Sequence, residues 1–406
     1  MGVSVFTDPL IDATGLSRLA LSNAYLLGTL MSGLLLPMGG VLLDRFGARL
    51  LAVFACGGLA ATLIFLSRID RVIAASANWT GGVSTEIVSG IVLTLAFGCL
   101  RFSGQGLLTM SSRAMVSKWF ERRRGLVAGI VGVFINFGFS LAPVGLLAWI
   151  AVAGWRGAWI GMAAAIGLGM LGVAYLFFRD NPEECGLRMD GEDPSTPLHR
   201  SKSSTAVSAE VSFTRSEALR TRVFWMVTLA LCVQSMVFTG VTFHIVDIGA
   251  MSGLSREAAV ALFVPIAAIG VPIGFLVGAA ADHVSLRMLV VAMSICQIVG
   301  FVGVAYVGDF WFRSAAVLGW GLSQGFFGPL TTVAIPKLFG RQHLGAISGI
   351  QMSCLVIGSA LGPAVLAASK SLFGRYDLGM LACCGLAVIP ISLALFSSGR
   401  TNSRNR

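Results

Sequence analysis

The chain has 406 residues, 56% of them hydrophobic and 12% charged, with a mean hydropathy of +0.84. Soluble domains carry about 25% charged residues, so a soluble globule is excluded; at about 20 residues per membrane helix the length holds about a dozen spans. No room is left for a separate soluble catalytic domain, and the net charge of +10 has to be located along the chain before it says anything about partners.

The opening stretch, residues 1–15, is apolar through Val3, Val5, Phe6, Pro9, Leu10 and Ile11, but too short to cross about 30 Å of hydrocarbon. It lacks the basic start and cleavage site of a signal peptide. It reads as the outer end of a first helix whose other half is missing; a re-entrant or surface segment is the alternative. Eleven apolar runs follow, near 21–43, 50–67, 87–112, 126–153, 157–178, 223–246, 257–281, 286–307, 311–335, 344–368 and 376–397. Twelve spans result, the first one truncated. The 50 glycines suit helices that pack closely in a membrane, and the eight cysteines, mostly inside apolar runs and without CxxC spacing, read as small packing residues.

Lysines and arginines retained on the cytoplasmic side set the orientation of such a bundle. The loops after spans 2, 4, 6, 8 and 10, with the C-terminal tail, hold 20 of the 29; the opposite loops hold 8, and Arg101 lies inside span 4. The charge therefore reports orientation, with the C-terminus cytoplasmic, and implies no nucleic-acid partner. The one long polar segment, 179–222, carries seven basic and eight acidic residues and divides the spans six and six. The expected organisation is an N-terminal six-helix bundle over 1–178, a cytoplasmic central loop over 179–222 with linker chemistry, a C-terminal six-helix bundle over 223–397 and a cytoplasmic tail over 398–406.

An internal repeat supports the division. Gln105-Gly106, Lys118, Phe120 and Arg122 recur at an offset of 219 as Gln324-Gly325, Lys337, Phe339 and Arg341. One residue of slippage aligns Gly125 with Gly345 and Ala142-Pro143 with Gly362-Pro363. A second pair sets Gly40-Val-Leu-Leu-Asp44-Arg45-Phe-Gly47-Ala-Arg49 beside Gly278-Ala-Ala-Ala-Asp282-His-Val-Ser-Leu-Arg287. Two parallel six-helix halves are a repeat plan of secondary transporters.

At these residues the sequence resembles the major facilitator superfamily. Gly40 to Arg49 resembles its signature between spans 2 and 3. Arg101 to Gly106 resembles its span-4 motif, with one extra residue before the Gln-Gly, and Gly138 to Pro143 its span-5 antiporter-type motif, with Ala142 in place of a glycine. Val3 to Phe6, Ser22 to Tyr25, Lys118 to Gly125 and Gly154-Trp155-Arg156 are most similar to the monocarboxylate porter and oxalate/formate antiporter group. The resemblance implies an all-α membrane fold of two pseudo-symmetric six-helix bundles working by alternating access as a monomeric carrier in a lipid bilayer. It departs from the group in two places: 258–281 carries no charge, and 344–368 holds no lysine.

The residues set the candidate sites. Asp44, Arg45, Gly47 and Arg49, with Asp282 and Arg287 in the repeat, read as a cytoplasmic gate: Gly47 permits a tight bend, and the aspartate can pair with the arginines or a neighbouring helix N-terminus. The basic cluster Lys118, Arg122, Arg123 and Arg124 suits anionic head groups. A charge within a span is by default functional, which selects Arg101, with Gln105 one turn on; a guanidinium beside an amide can hold a carboxylate, and a structural arginine is the equal alternative. Asn136, Gln234 and Gln324 complete the candidate substrate-binding set, Gln324 as repeat partner of Gln105. His244 and Asp247, one turn apart at the outer end of span 7, are candidates for proton coupling or a plain surface hydrogen bond. There is no P-loop, GxSxG or HExxH, and no metal or cofactor spacing. The expected function is transport of a small organic anion such as a monocarboxylate, not enzymatic; alternatives are proton-coupled efflux of hydrophobic compounds, and a transporter-like sensor or membrane-embedded enzyme.

Overall fold

The computed structural model describes residues 5–77, 84–191 and 212–396, and these are helical almost throughout. Eight of the helices among them are long and apolar enough to cross a membrane. The chain falls into two compact units, Met1–Met115 with Ile135–Asp180, and Val116–Phe134 with Asn181–Arg406.

In the first unit, α1 (Thr7–Thr14) is eight residues long and ends where Gly15 turns left-handed at φ 68°. At 1.5 Å per residue it is about 12 Å long, far short of a span. α2 (Arg18–Ser67) has 50 residues, enough for two crossings, and breaks between the two apolar runs at Gly47, φ 80° and ψ 169°. α3 (Ile69–Ala77) follows, and α4 (Thr85–Leu100) continues as a π-helical stretch, Arg101–Leu108, into α5 (Thr109–Trp119). α6 (Arg124–Ala164) breaks at Gly154, φ 68°, where the expected spans 126–153 and 157–178 meet. A second π-helical stretch, Ala165–Met170, leads into α7 (Leu171–Phe177). The core of this unit gathers Phe6, Leu10, Leu63, Leu66, Phe97 and Trp159; Phe6 and Trp159 lie 4.2 Å apart between ring centroids.

Two 3₁₀ turns, Pro182–Cys185 and Met189–Gly191, start the central loop. The linker stretch 193–205 lies outside the described residues. α8 (Arg215–Leu219) carries a capping box between Thr214 and Glu217. It is followed by α9 (Arg222–Met251), α10 (Arg256–Ala261), α11 (Phe263–Ala281), α12 (Leu286–Ala305), α13 (Phe310–Phe339), α14 (Leu344–Phe373) and α15 (Asp377–Phe396). α13 is of spanning length but falls outside the eight apolar spans, because Ser323, Gln324, two prolines and several glycines dilute its hydropathy. Leu34, Phe54, Val152, Phe243 and Leu372 are exposed. Such side chains on the outside of a helix bundle belong in lipid.

Candidate functional site

The first candidate centres on Arg101. Gly28 on α2 and Gly98 on α4 pack so closely that a Cβ on Gly28 would stand 2.6 Å from Thr94 O and 2.8 Å from Gly98 N. Small residues permit this approach. One turn from each glycine, the approach sets Tyr25 against Arg101: the guanidinium lies 5.6 Å from the centroid of the Tyr25 ring, which Phe97 packs edge-on at 5.3 Å. The extra residue in the span-4 motif has a structural counterpart. Arg101–Leu108 is π-helical, and a π-turn, bonding i to i+5, absorbs one added residue without breaking the helix. Arg101 and Gln105 are half-buried. Arg101 Nε, a donor, and Gln105 Oε1, an acceptor, are each buried without a hydrogen-bond partner. Such orphans are uncommon in folded interiors.

In the second unit, Gln234 is 1% exposed. Its Nε2 donates to Gln324 Oε1 at 3.0 Å, and its Oε1 accepts from Gln297 Nε2 at 3.0 Å. Both ends of Gln234 are engaged by neighbouring amides, whereas Gln324 is half-buried. Gln297 is absent from the residues singled out by sequence, since one amide in an apolar run gives no signal there. The side chains of Asn136 and Pro143 lie outside the described residues.

The gate candidates are divided between the two units. Arg45 stacks on Phe46 at 5.3 Å. After the bend at Gly47, the Asp180 carboxylate accepts from Arg49 N at 2.9 Å, and the Arg49 side chain donates to Tyr175 O at 2.6 and 3.0 Å. A Cβ on Gly47 would overlap that carboxylate, so this position combines a positive φ with a steric demand for glycine. Asp44 is exposed near the bend and Arg287 half-buried at the start of α12. Asp282, at the end of α11, accepts from Gly125 N at 2.9 Å and Leu126 N at 3.4 Å; a carboxylate there satisfies orphan donors of the first turn of α6 and complements its dipole.

The basic elbow is knit around that contact. Arg124, 7% exposed, donates to Phe120 O and Ser117 O, both at 2.9 Å. Lys337 Nζ donates to Ala281 O at 2.7 Å, and Arg341 to Lys118 O at 3.1 Å. Glu121, Arg122 and Arg123 donate their backbone N–H groups to the Asp190 carboxylate at 3.0 to 3.3 Å. Asp190, at φ 61°, is the one non-glycine with positive φ among the described residues, so the start of the central loop is pinned to the elbow.

At the other end of α9, His244 and Asp247 meet through Tyr376. The Tyr376 hydroxyl donates to Asp247 Oδ2 at 2.6 Å and lies 3.3 Å from His244 Nδ1. His244 Nε2 is 3.1 Å from Pro363 O, and Lys370 pairs with Asp247. Tyr376 and Lys370 were not singled out by sequence: the tyrosine sits in a loop and the lysine served only to orient the bundle. Outside the spans, Asp70 pairs with Arg156 at 2.8 Å, and Arg156 stacks on Trp155 at 4.3 Å. Burial pushes the Asp70 carboxyl up, but hydrogen bonds from Arg156 and from the Arg71 backbone outweigh it and hold the pKa below the usual carboxylate value. Among the described residues no group of three or more His, Cys, Asp or Glu could hold a metal ion.

Long apolar helices with charged capping confined to their ends and amides buried within define a polytopic membrane protein. The chain belongs to the Major Facilitator Superfamily, whose family model matches residues 1–363. It resembles the "Oxalate:formate antiporter" of Oxalobacter formigenes, 26% identical over 141 residues, 34% of this chain and 28% of that protein. It also resembles the "Probable sulfoacetate transporter SauU" of Cupriavidus necator, 29% identical over 147 residues, 36% of this chain and 30% of that protein. The chain thus spans less than a third of the length of either of these curated relatives. Among solved structures it shares its fold with the proton:xylose symporter XylE (TM-score 0.65, 14% identity, 97% of this chain and 90% of that one). The human organic anion transporter MFSD10 is also similar (TM-score 0.62, 16% identity, 96% and 88%). Family membership supports a transporter rather than an enzyme.

Proposed function

We propose that the chain is a monomeric secondary carrier of the cell membrane, working by alternating access, that moves a small organic anion, a monocarboxylate in the first instance. The observation that carries this reading is Arg101: an always-charged guanidinium within a span, held over the Tyr25 ring, with a buried Nε that has no partner. A carboxylate supplies the missing acceptor through a charge-assisted hydrogen bond. The printed names of the two curated relatives, which concern oxalate, formate and sulfoacetate, support the same class. The ends carrying Asp44 and Asp282 are cytoplasmic, as the loop charges imply, and Asp282 on the first turn of α6 acts as one latch of that gate.

Proton coupling is read from the outer cluster by counting hydrogens. A carbonyl only accepts, so His244 Nε2 carries a hydrogen toward Pro363 O. The one Tyr376 hydroxyl hydrogen goes to Asp247, so the contact with His244 Nδ1 is a hydrogen bond only when Nδ1 is also protonated. The charged groups around the ring are Asp247 on α9 and Lys370 on α14, with Tyr376 itself, Arg375 and Asp377 leading into α15.

The test is counterflow in proteoliposomes loaded with unlabelled oxalate, formate, lactate or sulfoacetate. A carrier of this class exchanges at least one of them for its labelled form; a sensor or enzyme exchanges none, and exchange of lipophilic cations alone would favour the efflux reading. Comparing pH 5.5 with pH 7.5, Tyr376→Phe is expected to flatten the wild-type pH dependence. A pH profile unchanged by that substitution would remove the outer cluster from coupling.

A further inference from the structure

Gln297 on α12, Gln234 on α9 and Gln324 on α13 form a chain of amides that begins on the backbone. Gln297 Nε2 donates both to Ala230 O at 2.9 Å and to Gln234 Oε1 at 3.0 Å. Gln234 Nε2 then donates to Gln324 Oε1 at 3.0 Å. Half a turn of an amide exchanges oxygen for nitrogen with almost no change of shape, so a chain of amides has no direction of its own.

Ala230 supplies the direction. Its carbonyl can only accept, and turning Gln297 over would set Oε1 against it. The network tolerates the consequence: Gln297 Oε1 is buried without a partner. With Gln297 fixed, turning Gln234 would face NH₂ against NH₂ at one end and oxygen against oxygen at the other. Each amide in the chain is thereby oriented from the one before.

The far end is the informative one. Gln297 is 0% and Gln234 1% exposed, whereas Gln324 is half-buried. Its oxygen is engaged by Gln234, which leaves its NH₂ as the unspent group at the accessible end. We propose that the amide chain makes Gln324 a donor-only contact for the transported ligand, with Gln297 as its positioning residue. Such a contact accepts carboxylate or sulfonate oxygens and discriminates against ligands that present only donors, such as organic ammonium ions. This inference rests on the anion-carrier reading above and concerns a specificity element within the second unit.

The experiment measures dissociation constants of the purified full chain for acetate, lactate, oxalate and sulfoacetate, with benzylammonium as the donor-only control. The proteins are wild type, Gln324→Met, Gln324→Lys, Gln297→Leu, the Gln297→Leu/Gln324→Met double variant and Arg101→Gln. Gln324→Met and Gln297→Leu are each expected to weaken anion binding about tenfold, as for loss of a hydrogen bond to a charged group. Gln324→Lys, which can only donate, retains binding. Gln297→Leu adds no further loss once Gln324→Met is present, a non-additivity that a merely structural role would not produce.

Wild-type affinity in both single variants, with binding lost in Arg101→Gln, overturns the inference and leaves the anion reading standing. Failure of the wild type to bind any of the four anions overturns both. Should Gln297→Leu not fold, the pair at the half-buried position decides: equal losses for Gln324→Met and Gln324→Lys overturn the donor assignment.

Discussion

Tyr25 offers a sharp probe of the Arg101 site, because two substitutions separate its ring from its hydroxyl. The guanidinium sits 5.6 Å from the ring centroid, near the outer limit of about 6 Å for a cation–π contact, and both residues are half-buried. Cation–π pairs contribute about 0.5–1 kcal/mol when exposed and about 2 when desolvated; a value of about 1 kcal/mol fits this intermediate burial. At about 1.4 kcal/mol per decade, Tyr25→Leu weakens anion binding about fivefold by releasing the guanidinium. Tyr25→Phe keeps the ring, the Arg101 contact and the edge-on packing on Phe97, and binds as wild type does. The assay is equilibrium binding of the transported anion, with melting temperatures recorded alongside to separate lost packing from lost positioning. Repeating the pair in an Arg101→Gln background completes the cycle, where the effect of Tyr25→Leu on binding vanishes. Equal losses for Phe and Leu, or a Leu effect that survives without Arg101, would refute the reasoning.

Two further predictions concern the helix ends. Asp282→Ala removes the acceptor for Gly125 N and Leu126 N and is expected to cost about 0.5–2 kcal/mol of local stability. Hydrogen exchange at those two amides should accelerate and counterflow slow, with Asp282→Asn intermediate because it can still accept; unchanged exchange would discard the cap. For Asp70, whose pKa is lowered in the fold, the sign runs toward acid. The pair stabilises above the unfolded carboxyl value of about 3.9, and the contribution is lost as pH falls through the lower folded value. With Asp70 34% and Arg156 50% exposed, solvent screening limits it to about 0.2–1 kcal/mol. Asp70→Asn should therefore lower the melting temperature slightly at pH 7 and by progressively less as the pH falls through the acid range; a difference independent of pH would point to packing instead.

What the sequence revealed follows from how local each feature is. Apolar runs are one-dimensional signals, so the spans and the bend at Gly47 could be read directly. The Gly40 to Arg49 motif carried attention to Asp282 because its Gly, Asp and Arg recur at Gly278, Asp282 and Arg287. The extra residue ahead of Gln105-Gly106 was visible as a departure from a pattern, but that it becomes a π-turn depends on the helix around it. The remaining determinants are long-range. Asp180 reaches Arg49 across 131 positions and Asp190 reaches Arg122 across 68, and nothing in a loop's composition names its partner. Gln297 looked like one polar residue among apolar neighbours until α9, α12 and α13 were brought together. Tyr376 gained meaning only once the fold set its hydroxyl between His244 and Asp247.

The most direct test of the central claim is the dissociation constant of a transported anion for wild type, Arg101→Lys and Arg101→Gln. A charge-assisted hydrogen bond contributes about 1.5–3 kcal/mol, so Arg101→Gln is predicted to weaken binding about 10- to 150-fold. Arg101→Lys, which keeps the charge but not the fork of donors, should fall between. Wild-type affinity in the Arg101→Gln protein would contradict the account.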